Sequence, residues 1–464
     1  MGWDIRLGGL DPAVTSQVMR HPEQVGNLAV VTRLLERFDA AGHDGDELHD
    51  LQAVLYRVSY RAQRAADGIG RALHRVEVGK GPDWPPAAGQ ESIAFAAPHW
   101  RLRCAADSRD VEEWRLERWV AERVIRQLRA VGDALAWRVF SYDRRAIVAL
   151  SRNDPPGPFW KKAGLGYELG ALNEIRERRG GFVLLHDLTS VVRIMDLTEV
   201  EASGRRLLRE VKASNSPSAT AKARKQIKRA ERLLAAIDGA EALPGEEAAS
   251  LWRAQTQFRT HLRELAPLLD HAQRTGAATA WIGGRVVGAL HLPVTAQRAQ
   301  PEERWSAYAA ARGRLLHRHL GAGTTLHRLR GVSADTTGRD PATAPWGIYP
   351  LPAHHRAALI CDYLVLETFI SADDIAREFR RLGLNAAVLL PAAHESFDSR
   401  SEIISVTDPR HQRRIVLHGA AVSQLLMEFV HTDRLIQAST EALRLLHTPG
   451  HSLLIYSNEP PAWY

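Results

Sequence analysis

One hairpin constrains this chain more than any other segment. Residues 193–212 read Arg193-Ile-Met-Asp196-Leu-Thr-Glu-Val-Glu-Ala-Ser203-Gly-Arg-Arg-Leu-Leu-Arg-Glu210-Val-Lys212, two strand-forming runs around Ala202-Ser203-Gly204. A three-residue hairpin loop places glycine at its left-handed position, a role that Gly204 fits. With the loop at 202–204, residue 201 pairs with 205 and 200 with 206, so that Asp196 stands opposite Glu210. Lys212 then projects from the same face as Glu210, because side chains alternate along a strand. Two carboxylates and an ammonium are expected on one patch of sheet.

Opposed like charges destabilise a sheet. Carboxylates about 5 Å apart repel by roughly 3 kcal/mol at an effective dielectric of about 20. A hard cation removes that repulsion, since Mg²⁺ takes one or two carboxylates and keeps several waters. A metal-bound water beside a lysine can attack a phosphodiester while the metal stabilises charge on the phosphate. The plainer alternative is a solvated hairpin in which Lys212 neutralises Glu210. Asp187, in Leu184-Leu-His-Asp187, is a second candidate for the acidic ligand.

Around this hairpin the pattern reads helix (163–179), strand (181–189), strand (191–201), strand (205–213) and helix (218–237). That order, with Asp on the second strand and Glu-x-Lys on the third, resembles the restriction-endonuclease-like PD-(D/E)XK nuclease superfamily. The resemblance covers about residues 163–240, and reaches 292 if a later hairpin joins the same sheet. It implies that Asp196 and Glu210 bind Mg²⁺ or Mn²⁺ and that Lys212 activates water. The proline that often precedes the family's aspartate is replaced by Met195.

Helix geometry adds candidates. Leu165, Leu169, Leu172 and Ile175 define an apolar arc that contains Glu168 at roughly 260°. A carboxylate there needs a partner, and a metal is one; the alternative is that Glu168 simply favours the positive end of the helix. On the second helix, Ala223, Ile227, Ala230, Leu233, Leu234 and Ile237 form a similar arc with Gln226 inside it. Gln226 would reach the active site or a phosphate, or else satisfy a backbone group at the sheet end. Lys222, Lys225 and Lys228 on this helix are candidate nucleic-acid contacts. The chain has seven lysines among its 61 basic residues, and six of them lie between Lys161 and Lys228. Solubility is an equally good reason for the helix lysines.

The rest of the chain frames this segment. Residues 24–75 carry helical stripes, and 110–134 form a charged helix followed by expected strands at 137–142 and 145–150. Arg152-Asn-Asp-Pro-Pro-Gly-Pro marks a break. A helix is expected over 246–275, then a hairpin turning at Gly283-Gly284. Residues 296–346 mix a helix with polar loops. The last hundred residues alternate helices and strands, with a hairpin around Pro409. The expected class is mixed α/β. The expected regions are a mostly helical 1–150, a nuclease-like 151–295 and a mixed α/β 296–464.

Composition narrows the partners. A net charge of +7 and a pI near 9.6 favour a polyanion. Cys104 and Cys361 are too few for a disulfide framework or a thiolate metal site, and a reducing cytoplasm fits. No apolar run approaches membrane-spanning length. His317/His319 and His354/His355 lack the Cys or carboxylate spacing of a zinc site. The expectation is a cytoplasmic, metal-dependent nuclease acting on nucleic acid, DNA before RNA, of the kind found in restriction, repair or antiviral defence. A catalytically silent binding protein is the alternative. So is an assembly subunit that meets a protein partner or another copy through its N-terminal helices.

Overall fold

The computed structural model describes residues 17–80, 111–151, 165–177, most of 181–211, parts of 224–235, 249–254, 259–292, 301–321, 327–333, 343–390, 401–445 and 452–457. Its helices are α1 (Pro22–Ala41), α2 (Gly45–Glu77), α3 (Val111–Val139), α4 (Arg144–Leu150), α5 (Leu165–Glu177), α6 (Leu265–Thr275), α7 (Pro301–Leu320), α8 (Ala353–Ile360), α9 (Ala372–Arg381), α10 (Gly419–Met427) and α11 (Thr432–Leu445). Its strands are β1 (Phe182–Leu185), β2 (Leu197–Val200), β3 (Arg206–Arg209), β4 (Ala249–Ala254), β5 (Ala277–Ile282), β6 (Arg285–His291), β7 (Arg328–Val332), β8 (Leu364–Ser371), β9 (Asn385–Val388), β10 (Glu402–Asp408), β11 (Arg413–His418) and β12 (Ser452–Ser457). The protein is mixed α/β, as expected. No described helix is long and apolar enough to cross a membrane.

Contacts divide the chain into two compact units: 1–136 with 152–228 and 356–361, and 137–151 with 229–355 and 362–464.

In the first unit, the helices start where their caps dictate. Asp44 Oδ1 accepts the amides of Asp46 (2.9 Å) and Glu47 (3.1 Å), satisfying two orphan donors at the head of α2. Leu48, Leu51 and Leu55 follow at helical spacing and are buried. One polar residue of this helix acts on the sheet. Gln52 donates to the Val183 carbonyl (2.6 Å) and accepts the Leu185 amide (2.9 Å), so its side chain stands in for a neighbouring strand along the outer edge of β1. His49 Nε2 meets the Gly181 carbonyl at 3.0 Å. Gln52→Leu leaves both strand groups without a partner, and a stability loss of about 2 kcal/mol is expected. Denaturant titration checks it; an unchanged midpoint would show that these groups need no partner.

β1, β2 and β3 form an antiparallel meander in that order. The hairpin pairs Val200 with Arg206 and Leu197 with Arg209, the register expected from Gly204, whose φ is 80°. β1 and β2 are shorter than expected. β1 ends at Leu185 because His186–Leu188 turn into a 3-10 helix, and β2 begins only after Met195, whose φ is 69°. The Asp196 amide bonds the Arg209 carbonyl at 3.0 Å, and the described ladder ends at the Leu197–Arg209 pair; Glu210, the expected partner of Asp196, lies outside the described residues. α5 covers the sheet through Ile175, which packs with Val183, Leu197 and Val211.

The second unit holds a four-stranded antiparallel sheet, β5-β6-β8-β7. Gly283 (φ 51°) and Gly284 (φ 82°) make the expected two-residue turn between β5 and β6. This hairpin pairs with β8, so it does not extend the meander of the first unit. Every residue of β8 is buried, Glu367 included. Glu367 receives Arg330 Nε at 2.7 Å, Arg312 Nη1 at 2.5 Å and the Tyr308 hydroxyl at 3.1 Å. Gly288, its partner on β6, makes room for Tyr308: a Cβ there would lie 1.9 Å from the phenol oxygen. A second sheet, β11-β10-β9, packs against α9, and β12 pairs with β4 in parallel.

Two local expectations are corrected in this unit. Residues 145–150 are helical because Ala146, Ile147 and Leu150 must be buried together, a helical and not an alternating spacing. The run from 137 likewise prolongs α3 to Val139. Conversely, the helix expected over 246–275 is confined to α6 after a 3-10 turn, because 249–254 finds a strand partner two hundred residues away.

Candidate functional site

The loop from His186 to Asp196 joins the two strand ends where the candidate acids lie. It is held from within. His186 is buried, with Nδ1 donating to the Met195 carbonyl (3.1 Å) and Nε2 accepting the Thr198 hydroxyl (2.7 Å). Thr189 Oγ1 donates to the His186 carbonyl (2.9 Å) and accepts the Val192 amide (3.2 Å). Arg193 closes the loop on the Thr189 carbonyl at 2.7 Å.

α3 anchors the same loop from outside. Asp133 Oδ1 accepts the amides of Ser190 (2.6 Å) and Val191 (3.2 Å), and Oδ2 takes the Ser190 hydroxyl. Burial pushes the Asp133 carboxyl up, while these donors and Arg193 pull it down. Burial likewise lowers the neighbouring Arg129 to about 10, with Arg193 adding to the shift and Asp133 and Asp187 opposing it. Close approach is possible because residue 132 is glycine: a Cβ there would stand 1.9 Å from the Leu188 carbonyl oxygen.

Asp196 sits at the mouth of β2. Its Oδ2 accepts the Val211 amide at 2.7 Å. Glu210 and Lys212, the covalent neighbours of Val211, lie outside the described residues, as do Lys222, Lys225 and Gln226. Lys228 is described and exposed on a helical segment. Of that helix's expected apolar arc, Ala230 is buried, Leu234 is half-buried and Ile227 is 37% exposed.

Glu168 is buried on α5, on the face where the arc placed it. It and Asp187 act on one phenol. Tyr56 of α2 is pushed up to about 12 by burial, with Tyr60, Glu168 and Asp187 adding to the shift. A phenol in that field stays protonated at neutral pH. The sequence offered no signal for Tyr56, which flanks the apolar stripe of its helix.

In kind, the donors suit Mg²⁺ or Mn²⁺, since Glu168, Asp187 and Asp196 supply carboxylate oxygens. They do not gather closely. Among the described residues, the oxygens of these three form no group within 4.8 Å of one another. Glu199, on the strand beyond Asp196, is paired with Arg209 and serves the hairpin instead.

In comparisons with known proteins, no family model, no curated protein and no solved structure matches this chain.

Proposed function

We propose that this chain is a metal-dependent nuclease that hydrolyses phosphodiester bonds, DNA in preference to RNA, through a restriction-endonuclease-like core. One contact carries the reading: the Asp196 carboxylate accepts the amide of Val211, the residue between Glu210 and Lys212. Successive Cα atoms are about 3.8 Å apart, so the second-strand acid and the Glu-x-Lys tripeptide are neighbours whatever the side-chain details. Glu168, buried on the preceding helix, supports the same assignment.

Asp196, Glu210 and Glu168 would hold Mg²⁺ or Mn²⁺, with Asp187 the second candidate acid. When bound, the ion supplies an activated water and charge stabilisation on the phosphate. Lys212 orients that water, and Gln226 meets a phosphate. Lys222, Lys225 and Lys228 attract the nucleic-acid backbone, a term that salt weakens.

The test is incubation of the full chain with DNA and RNA panels in Mg²⁺, Mn²⁺ or chelator. Cleavage should require the metal. Asp196→Asn keeps an oxygen for the Val211 amide but loses the charge. It should lower the rate at least about 100-fold with the fold intact, the scale of removing one electrostatic group at a reacting centre. Glu210→Gln and Lys212→Ala should do the same. Wild-type rates in any of these folded variants would reject the assignment of that residue. Salt-dependent binding without cleavage would leave a silent binding protein.

A further inference from the structure

A second cluster of metal-ligating side chains lies in the second unit, away in sequence from every residue assigned above. Asp270 belongs to α6, and His354 and His355 to the first turn of α8. Their ligating atoms all lie within 4.8 Å of one another, and among the described residues no other group of three His, Cys, Asp or Glu does so. The sequence gives no hint of it, because the carboxylate that completes the pair of histidines is more than eighty residues upstream.

His355 is the informative member. It is fully buried, and its Nδ1 has no hydrogen-bond partner. Its Nε2 comes within 3.0 Å of Asp270 Oδ1, yet not along a hydrogen-bond direction. A buried imidazole normally satisfies both nitrogens. A close, misdirected nitrogen–oxygen approach is what two atoms aimed at a shared cation produce. Ligands about 2.1 Å from one ion at tetrahedral angles lie roughly 3.4 Å apart. His354 stacks obliquely on His355, ring centres 4.1 Å apart, and is exposed, so a solvated ion has a path to the site.

We propose that Asp270, His354 and His355 form a binding site for a transition-metal dication of the Zn²⁺ class. Two imidazole nitrogens and one carboxylate oxygen select such ions over Mg²⁺. Three protein ligands leave a coordination position for water or for a ligand atom. The site is distinct in donor chemistry from the all-oxygen set around Asp196, and it stands whether or not the chain cleaves nucleic acid.

Co²⁺ is the probe. Added to the full-length chain in excess Mg²⁺, which fills the all-oxygen set, it should saturate at one equivalent with the visible absorption of a low-coordinate ion, and Zn²⁺ should displace it. His354→Ala, at an exposed position, and Asp270→Asn should each weaken binding at least about tenfold, since even outer partners of a metal ligand cost that much. Glu210→Gln and the double variant His317→Ala, His319→Ala should leave it unchanged. His355→Ala empties a buried position, so His355→Gln with its circular dichroism checked is the third variant. Absence of saturable Co²⁺ binding would overturn the proposal. So would binding that both His354→Ala and Asp270→Asn leave intact.

Discussion

Glu367→Ala should destabilise the second unit by about 3–5 kcal/mol, the usual cost of removing one partner from a buried ion pair. Glu367 is fully buried on β8, while the side chains of Arg312 and Arg330 are only 14% and 33% exposed. Removing the carboxylate takes away the acceptor shared by Arg312, Arg330 and the Tyr308 hydroxyl, and leaves two guanidinium charges without its opposing charge. Arg330, being the more exposed, can recover some hydration, which favours the lower end of the range. Arg312 cannot easily do so, because it rests over the rings of Tyr308 (5.8 Å) and Phe369 (5.3 Å). Denaturant titration measures the loss. The double variant Glu367→Leu, Arg312→Met should recover much of it, because an apolar replacement of similar volume removes the stranded charge. A single-variant loss under about 1 kcal/mol would mean that both arginines reach water, contrary to the burial around them.

Gly132→Ala should cost about 3 kcal/mol or more, although alanine is the better helix former by about 1 kcal/mol. The sign is set by space. The new Cβ would lie 1.9 Å from the Leu188 oxygen and 2.7 Å from its carbon, and both are backbone atoms that no rotamer change can move. Either α3 or the 186–196 loop must shift, so the positions of Asp187 and Asp196 should suffer with stability. Gly70 of α2 is the internal control. Nothing lies within 4 Å of a Cβ there, so Gly70→Ala should be neutral or stabilising. Similar melting of the two variants would show that the α3–loop contact is not as tight as its geometry.

What the sequence made legible was local. The Gly204 and Gly283-Gly284 turns, the register from Val200 to Leu197, and the alternation of helices and strands after residue 353 all follow from neighbours within a few positions. Glu168 was placed on a buried face by the same reasoning. What escaped depends on partners distant in the chain. β4 looked helical because β12 was invisible to it. His354 and His355 looked unremarkable without Asp270. Asp133, Gln52 and Glu367 read as ordinary polar residues, since nothing nearby reveals which backbone or guanidinium group each will meet. The loop at Met195 shows the same limit at short range. The alternation of residues predicted Asp196 in the ladder, but His186 and Thr198 hold a left-handed residue just before it.

Gln52 has a consequence for heredity as much as for folding. A meander of under a hundred residues invites the view that it can be moved between proteins as a cassette. Yet the outermost strand of its sheet is completed by an amide borrowed from a helix more than a hundred residues earlier. Recombination that carried off the strands alone would release an unpaired edge, and such edges recruit other chains. The helix that carries Gln52 and the meander after residue 181 therefore depend on each other, and separating them would expose that edge.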